Sequence, residues 1–409
     1  MSSETAPERH PRMTSLDGLR AVAIVLVVLH HGWTVYPYEE LAVLAPFDSL
    51  FRAGDLGVTL FFVVSGFLVV GSMLESRETW GATRHWWVIP RRLARSFPQL
   101  VLLLAAILVL NVVDATDDNT RDATTTSAWR IATYTWNWYL LDNPLGARAD
   151  LGHLWYLSVE LHVLAALAVV VSLLGGGSRR RLLVALLAAL LVVVWWRWHA
   201  WDVEGWYATG LRTTTRADGL LYGAVAAVVV PMVPASLRKQ APAVAGGAAL
   251  LLVGVVIGAP ALGLEQYYKG AGVLAGAVCA LLVLSMWLVR GTGTERALSW
   301  PPLVALGGYS LTIYIWHYPL LWALSRHSAE WRNLSRVAVG IALVAVVTYV
   351  VHRYVDTPAA RWAAGLRRHP DRSPTPLGAD AQDEARPGVR RRTSGTHVRR
   401  KRDTSRSRE

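Results

Sequence analysis

Long apolar runs separated by short polar segments recur along the chain from Leu16 to Tyr354. Each run has about 17 residues or more, enough to cross roughly 30 Å of hydrocarbon as a helix. Ten spans are expected, with edges good to a few residues. They are Leu16–Tyr36, Leu56–Leu74, Phe97–Val113, His153–Leu174, Leu182–Ala200, Thr215–Val233, Ala241–Ala259, Ala271–Val289, Leu303–Ser325 and Val337–Tyr354. Residues 1–13 are polar and no small-residue cleavage site follows the first run closely, so that run is read as a retained span. The aromatic segment Trp129–Leu141 is too short to span and predicts an interfacial or re-entrant helix. No repeat of fixed period is present. The pattern predicts an all-α polytopic membrane protein.

Composition agrees with the pattern. Of 409 residues, 53% are hydrophobic and only 17% charged, with mean hydropathy +0.32. A soluble enzyme, a disordered chain and a fibrous protein are excluded on these grounds. Most of the 19 tryptophans are expected at the membrane interface. The single cysteine, Cys279, cannot build a disulfide framework or a cysteine-rich metal centre and reads as a buried core thiol.

Charge orients the chain. With the N-terminus inside, the inner loops hold Arg77, Arg84, Arg91, Arg92 and Arg95, then Arg179 to Arg181, Arg238 and Lys239, and Arg290 and Arg296. The outer loops hold Glu39, Glu40 and Asp48, then Asp114, Asp117, Asp118 and Asp122, then Glu265; Arg326, Arg332 and Arg336 run against the trend. Both termini are therefore expected in the cytoplasm. The net charge is +12, and Leu366–Glu409 carries 13 Lys/Arg against 6 Asp/Glu, over half of it. The expected organisation is a cytoplasmic segment over 1–14, a transmembrane domain over 15–361 and a disordered basic cytoplasmic tail over 366–409. Arg390 to Arg392 and Arg399 to Arg402 suit anionic lipid better than nucleic acid on such a chain.

Ionisable groups inside apolar spans are costly and face a cavity or a partner, which makes them the candidates for chemistry. Arg20 and His31 are eleven residues apart, three helical turns plus 20°, so one face of the first span carries both, about 16 Å apart along the axis. A neutral imidazole there can take a proton from a hydroxyl near neutral pH. The local alternative is an Asp17–Arg20 pair at i, i+3, with His30 and His31 marking the outer interface. Arg92 and Arg95, also at i, i+3, can converge on one anion through forked donors, or serve as orienting charge. His153, Tyr156 and Glu160 share a helix face, on which Glu160 either orients a histidine or caps an interface. Ser310, Tyr314 and His317 share a face of the ninth span, either as site residues or as polar glue between helices. In the sixth span Asp218 is expected to neutralise Arg216, and its glycines to allow close helix contact.

Taken in order, these segments resemble the membrane-bound acyltransferase 3 family, which O-acylates sugars and related acceptors. Leu16-Asp17-Gly18-Leu19-Arg20-Ala21, running to His31, is similar to the family's opening helix with its arginine–ten residues–histidine spacing. Phe61-Phe62-Val63-Val64-Ser65-Gly66-Phe67-Leu68 resembles its second-span signature, and Arg92-Leu93-Ala94-Arg95 followed by Pro98 its arginine loop. The stretch from His153 to Glu160 resembles its fourth block, and that from Tyr309 to Leu320 its late block. The resemblance runs from about Leu16 to Arg361. Two departures stand out. Leu161 and His162 follow Glu160 where the family often has a glutamate and a glutamine, and the last span ends in Asp356-Thr357-Pro358 where a glutamate before proline is usual. Some members carry a fused extracytoplasmic esterase-like domain; none is expected here, so that role would fall to a separate partner protein.

The resemblance implies an acyltransferase domain over 15–361 in the plasma membrane. It implies a cytoplasmic acyl-CoA co-substrate, most often acetyl-CoA, and a carbohydrate, glycolipid or glycosylated small-molecule acceptor. It implies catalytic roles for His31, Arg20 and Glu160, donor binding by Arg92 and Arg95, and substrate contact or support from Asp17, His153, Tyr156, Tyr314 and His317. No metal and no permanently bound cofactor is expected. A pantetheine arm of about 15–20 Å compares with the Arg20–His31 rise, so a thioester can approach His31 while the nucleotide stays near the cytoplasm. General-base attack and a covalent acyl-histidine both fit His31, with Glu160 fixing its tautomer if close. Two rival classes compete. A glycosyltransferase using lipid-linked sugars would draw on Glu39, Glu40 and Asp48 or the Asp114–Asp122 cluster. A transporter without chemistry would be expected to show internal repeats.

Overall fold

The computed structural model describes residues 13–36, 47–80 and 84–365. The expected N-terminal segment, the basic tail and the loop residues Glu39 and Glu40 thus lie wholly or mostly outside the described residues. Among the described residues every regular element is helical. The larger helices are α1 (Thr14–Val35), α2 (Gly54–Trp80), α3 (Val88–Val113), α4 (Arg121–Ala132), α5 (Trp136–Asp142), α6 (Trp155–Leu174) and α7 (Arg179–Leu211). They are followed by α8 (Asp218–Val229), α9 (Ala241–Gly258), α10 (Gly272–Leu288), α11 (Pro301–His327), α12 (Asn333–Val351) and α13 (Thr357–Gly365).

All ten apolar runs fold as helices, and seven helical stretches among the described residues are long and apolar enough to cross a membrane. The two numbers differ for physical reasons. The two expected spans within Ala241–Leu288, α9 and α10, are joined by short helical turns with a break at Gly263, and count as one stretch. Asp218–Met232 is shorter than a full crossing. In α11 the polar atoms of Tyr309, Ser310, Tyr314 and His317 dilute an otherwise apolar run. The chain is an all-α polytopic membrane protein.

α2 forms the centre of the bundle. In its apolar window 78% of residues are buried, against 22% in α7 and α12. α2 packs on α1, α8 and α10, while α1 also packs along α11. The periphery is apolar too: Val184, Leu191 and Val192 of α7 are exposed, as a lipid-facing surface requires. Small residues set the closest crossings, because lipid tails offer no hydrophobic drive for helices to associate. A methyl group on Gly307 would collide with the Asp17 carbonyl oxygen, so α11 can lie against α1 only with glycine there. The sixth-span glycines behave as expected, since a side chain on Gly223 would collide with the Val63 carbonyl of α2.

The segment between α3 and α6 is held by a buried charge network. Arg148, with no exposed side-chain surface, donates to Asp117 Oδ2 at 2.9 Å, to Asp150 Oδ1 at 3.0 Å and Oδ2 at 2.7 Å, and to Thr124 Oγ1 at 2.9 Å. Burial alone would raise the Asp117 carboxyl, but hydrogen bonds from Asn119 and Arg148 outweigh it and hold it down at about 2. Its contribution is present above the ordinary carboxylate range and is lost as pH falls toward 2. Asp114 meanwhile caps Thr116 and pairs with His327. Both acids therefore serve structure. Arg148→Leu would leave Asp117 buried without its cation and Asp150 with only Arg326 at 3.6 Å, and is expected to cost about 3–5 kcal/mol. Thermal unfolding in detergent, followed by size exclusion, checks this; an unchanged midpoint would refute it.

The expected single helix over Trp129–Leu141 is two. α4 ends at Ala132, Tyr134 adopts φ 57°, and α5 begins at Trp136. Asn137 explains the break: its amide is buried and donates to the Leu211 carbonyl and to Thr213 Oγ1, contacts that a continuous helix would not direct there.

Candidate active site

Three histidines from distant parts of the chain converge. His31 comes from the last third of α1, His317 from the middle of α11, and His153 from a short 3-10 turn, Ala149–Leu154, that precedes α6. His31 Nδ1 lies 2.7 Å from His317 Nε2, with the rings stacked at 5.0 Å. His153 meets both rings edge-on, at 6.1 Å from His31 and 5.3 Å from His317. Tyr318 covers His31 at 4.4 Å, and the Tyr314 hydroxyl donates to the His153 carbonyl.

The backbone decides the tautomers. His317 Nδ1 lies 2.9 Å from the carbonyl oxygens of Ile313 and Tyr314, which only accept, so Nδ1 carries the proton. In the neutral ring Nε2 then holds a lone pair, and His31 Nδ1–H donates to it. The remaining His31 nitrogen, Nε2, is left as the unprotonated one. By the same logic His153 Nε2–H donates to the Ile315 carbonyl at 3.3 Å, and its buried Nδ1 has no partner. His31 lines a cavity of about 140 Å³ together with His30, His153, Tyr314, Asp55 and Trp155.

A second polar cluster sits at α3. Arg92 donates from Nε to Glu160 Oε2 at 3.0 Å and pairs with Oε1 through Nη2, a two-pronged contact. Ser65 and Tyr156 donate to the same Glu160 oxygen at 2.6 and 3.2 Å. One turn on, Arg95 reaches Asp356 Oδ1 at 3.3 Å, which also accepts from Gln99 at 3.0 Å, while His352 meets Oδ2 at 2.8 Å. Arg20 faces Asp17 at 3.7 Å and lies within electrostatic range of Arg92 and Arg95. The Arg92 and Arg95 side chains are each 37% exposed, so donors remain for an outside anion.

The structure thus sorts the expected residues into two groups. His31, His153, Tyr314 and His317 form one; Asp17, Arg20, Arg92, Arg95, Tyr156 and Glu160 belong to the other. The face shared by His153, Tyr156 and Glu160 divides, because the chain before Trp155 is a 3-10 turn with a different residue spacing. Glu160 does not fix the His31 tautomer, as its carboxylate is taken by Arg92, Ser65 and Tyr156; His317 does so instead. Asp218 pairs with Arg197 of α7 and not with its neighbour Arg216, which faces Asp55 at 3.7 Å. Gln99, His352 and Tyr318 were not singled out in sequence. Their signal was present for Gln99, one helical face with Arg92 and Arg95, and for His352, at i, i+4 from Asp356.

Comparison with known proteins gives the family. The acyltransferase 3 family model, an acyltransferase domain, matches residues 13–353. O-acetyltransferase OatA of Staphylococcus aureus (strain NCTC 8325 / PS 47) is 23% identical over 376 residues, 85% of this chain and 57% of the relative. Peptidoglycan O-acetyltransferase OatA of Listeria monocytogenes serovar 1/2a (strain ATCC BAA-679 / EGD-e) is 23% identical over 369 residues, 84% of this chain and 55% of the relative. A putative O-acetyltransferase of Staphylococcus aureus (strain MSSA476) is 22% identical over 366 residues, 85% of this chain and 57% of the relative. The chain therefore spans 55–57% of the length of these relatives. No solved structure matches it. With the family model spanning most of the sequence, and both polar clusters built from the blocks that carried the resemblance, the chain belongs to the membrane-bound acyltransferase 3 family.

Proposed function

We propose that this chain is a plasma-membrane O-acyltransferase that moves an acyl group, acetyl in the first instance, from cytoplasmic acyl-CoA to a hydroxyl of a carbohydrate or glycosylated acceptor. The observation that carries the reading is the His317–His31 hydrogen bond, which leaves His31 Nε2 unprotonated beside a cavity. His31 Nε2 takes the proton of the acceptor hydroxyl, and the oxygen attacks the thioester carbonyl. The C–S bond breaks, and the CoA thiolate takes the proton back from His31. Arg92 and Arg95 hold the CoA phosphates with the donors that Glu160 and Asp356 leave unused, and those two acids keep the forks aimed. Arg20, beside Arg92 and Arg95, adds positive charge to the donor site. The relatives' printed names support an acetyl group, and one of them names peptidoglycan, a carbohydrate polymer, as its acceptor.

The direct test needs no acceptor. Acetyl-CoA at 100 times its Kd is expected to stabilise the detergent-purified protein by about 2.7 kcal/mol. Arg92→Ala and Arg95→Ala are each expected to remove most of that shift while eluting as folded protein. Absence of any shift in the wild type at millimolar ligand would count against the transferase reading; an undiminished shift in both variants would move the donor site elsewhere.

A further inference from the structure

A second, larger cavity remains unused by the donor and base machinery. It holds about 450 Å³, within the roughly 300–1,000 Å³ of small-molecule sites, and adjoins the His31 cavity at His30, Asp55 and Trp155, which line both. Its wall is aromatic: Trp33, Trp155, Trp206, Tyr207, Tyr267 and Tyr268 all contribute. These rings arrive from the last turn of α1, the start of α6, the far end of α7 and the π turn Tyr267–Ala271. The α7 contribution depends on one backbone feature. Gly205 adopts φ 79° and breaks the helix immediately before Trp206 and Tyr207, a conformation that favours glycine.

The charged groups lining this cavity are Asp55 and Arg52, whose guanidinium lies over the Trp33 ring at 5.4 Å. Asp55 accepts from the Tyr268 hydroxyl at 3.5 Å and faces the Arg216 guanidinium at 3.7 Å. Arg216 is 1% exposed, and none of its three guanidinium nitrogens has a hydrogen-bond partner. Its charge lies over Trp155 at 5.4 Å and Tyr268 at 5.7 Å, two of the lining rings. Arg216 does not line the cavity; it stands behind Asp55 and the rings and backs them with positive charge. A purely apolar occupant such as an acyl chain would use the rings and leave Asp55 and Arg52 unserved. A pyranose uses both, with its C–H face on aromatic rings and its hydroxyl edge on a carboxylate and a guanidinium.

We propose that this cavity is the acceptor subsite and takes a pyranose ring of a glycan, with one hydroxyl directed past Asp55 and Trp155 toward His31. The proposal rests on the O-acyltransferase reading and adds where, and by which groups, the acceptor is held. Trp206 is the most informative position, because it is 57% exposed and its truncation leaves the packed core intact.

The test uses the full-length protein in nanodiscs with radiolabelled acetyl-CoA and N,N′-diacetylchitobiose as acceptor probe, with glycerol as an acyclic comparison. The wild type is expected to acetylate the disaccharide saturably and glycerol far less efficiently. Trp206→Ala is expected to raise the disaccharide KM about tenfold, the size of one lost stacking contact, with kcat within about twofold. Asp55→Asn is expected to raise KM as well, and the acetyl-CoA stabilisation is expected to be the same in both variants as in the wild type. An unchanged KM in both variants, or equal use of glycerol and disaccharide, overturns the subsite. A wild type that acetyl-CoA stabilises but that acetylates no pyranoside also overturns it, and leaves the transferase reading standing. A wild type neither stabilised nor active removes that reading and the subsite with it.

Discussion

His31→Ala is expected to lower acyl transfer by about 10²–10⁴-fold at saturating acetyl-CoA, the range that a positioned general base supplies. The expectation follows from where the lone pair is. His31 Nδ1 is committed to His317, so Nε2 alone is available to a hydroxyl, and it belongs to a side chain that lines the smaller cavity. The other two histidines of the cluster cannot substitute from their places. His317 is fully buried and does not line that cavity, and the free His153 nitrogen is buried. Donor binding is expected to survive, because Arg92 and Arg95 sit in the other cluster with Glu160 and Asp356 as their partners. Single-turnover transfer from radiolabelled acetyl-CoA, with thermal stabilisation measured in parallel, separates the two effects. Transfer within threefold of wild type would remove His31 from the mechanism. Label retained on the protein when no acceptor is present would replace the proton-transfer step by an acyl-histidine.

The second large effect is expected at a residue that touches no substrate in the proposed mechanism. His317→Leu removes the acceptor that keeps the proton on His31 Nδ1 and frees the imidazole to carry it on Nε2, where it cannot act as a base. A drop in kcat of about 10²-fold is expected, since holding a catalytic imidazole in the wrong tautomer costs a large share of its contribution. His317→Gln offers a carbonyl oxygen near the position of Nε2 and is expected to recover activity to within about tenfold of wild type. The pair of variants distinguishes positioning from packing, because both keep a side chain of similar bulk and only glutamine offers an acceptor. Equal activity in the two, or a Leu variant as active as wild type, would refute the tautomer argument.

Much of this site was legible as residues and little of it as contacts. Arg20 and His31 lie on one helix, and Arg92 and Arg95 lie on another, each arginine paired with a different acid. The partner of each was less accessible. Glu160 appeared as a candidate for the histidine, yet its carboxylate lies against Arg92, 68 positions away in sequence. Arg216 and Asp218, two residues apart, choose Asp55 and Arg197 instead of each other. In both cases the ion pair is tertiary, because the packed helices bring opposite charges from distant segments closer than the local spacing does.

The amino-acid pattern by itself determined that the chain is an all-α membrane protein, where its apolar helices run, which intramembrane residues carry charge or protons, and which family those residues resemble. These are properties of single segments, set by hydropathy and by the 3.6-residue period. Tertiary structure alone decided that three histidines from α1, the turn before α6 and α11 share one hydrogen-bonded cluster, that the Glu160–Arg92 pair stands apart from it, and that six aromatic rings enclose a cavity beside His31. Those facts depend on contacts between residues as much as 286 positions apart. Such contacts arise from close crossings like that of Gly307 on Asp17, whose geometry no single segment encodes.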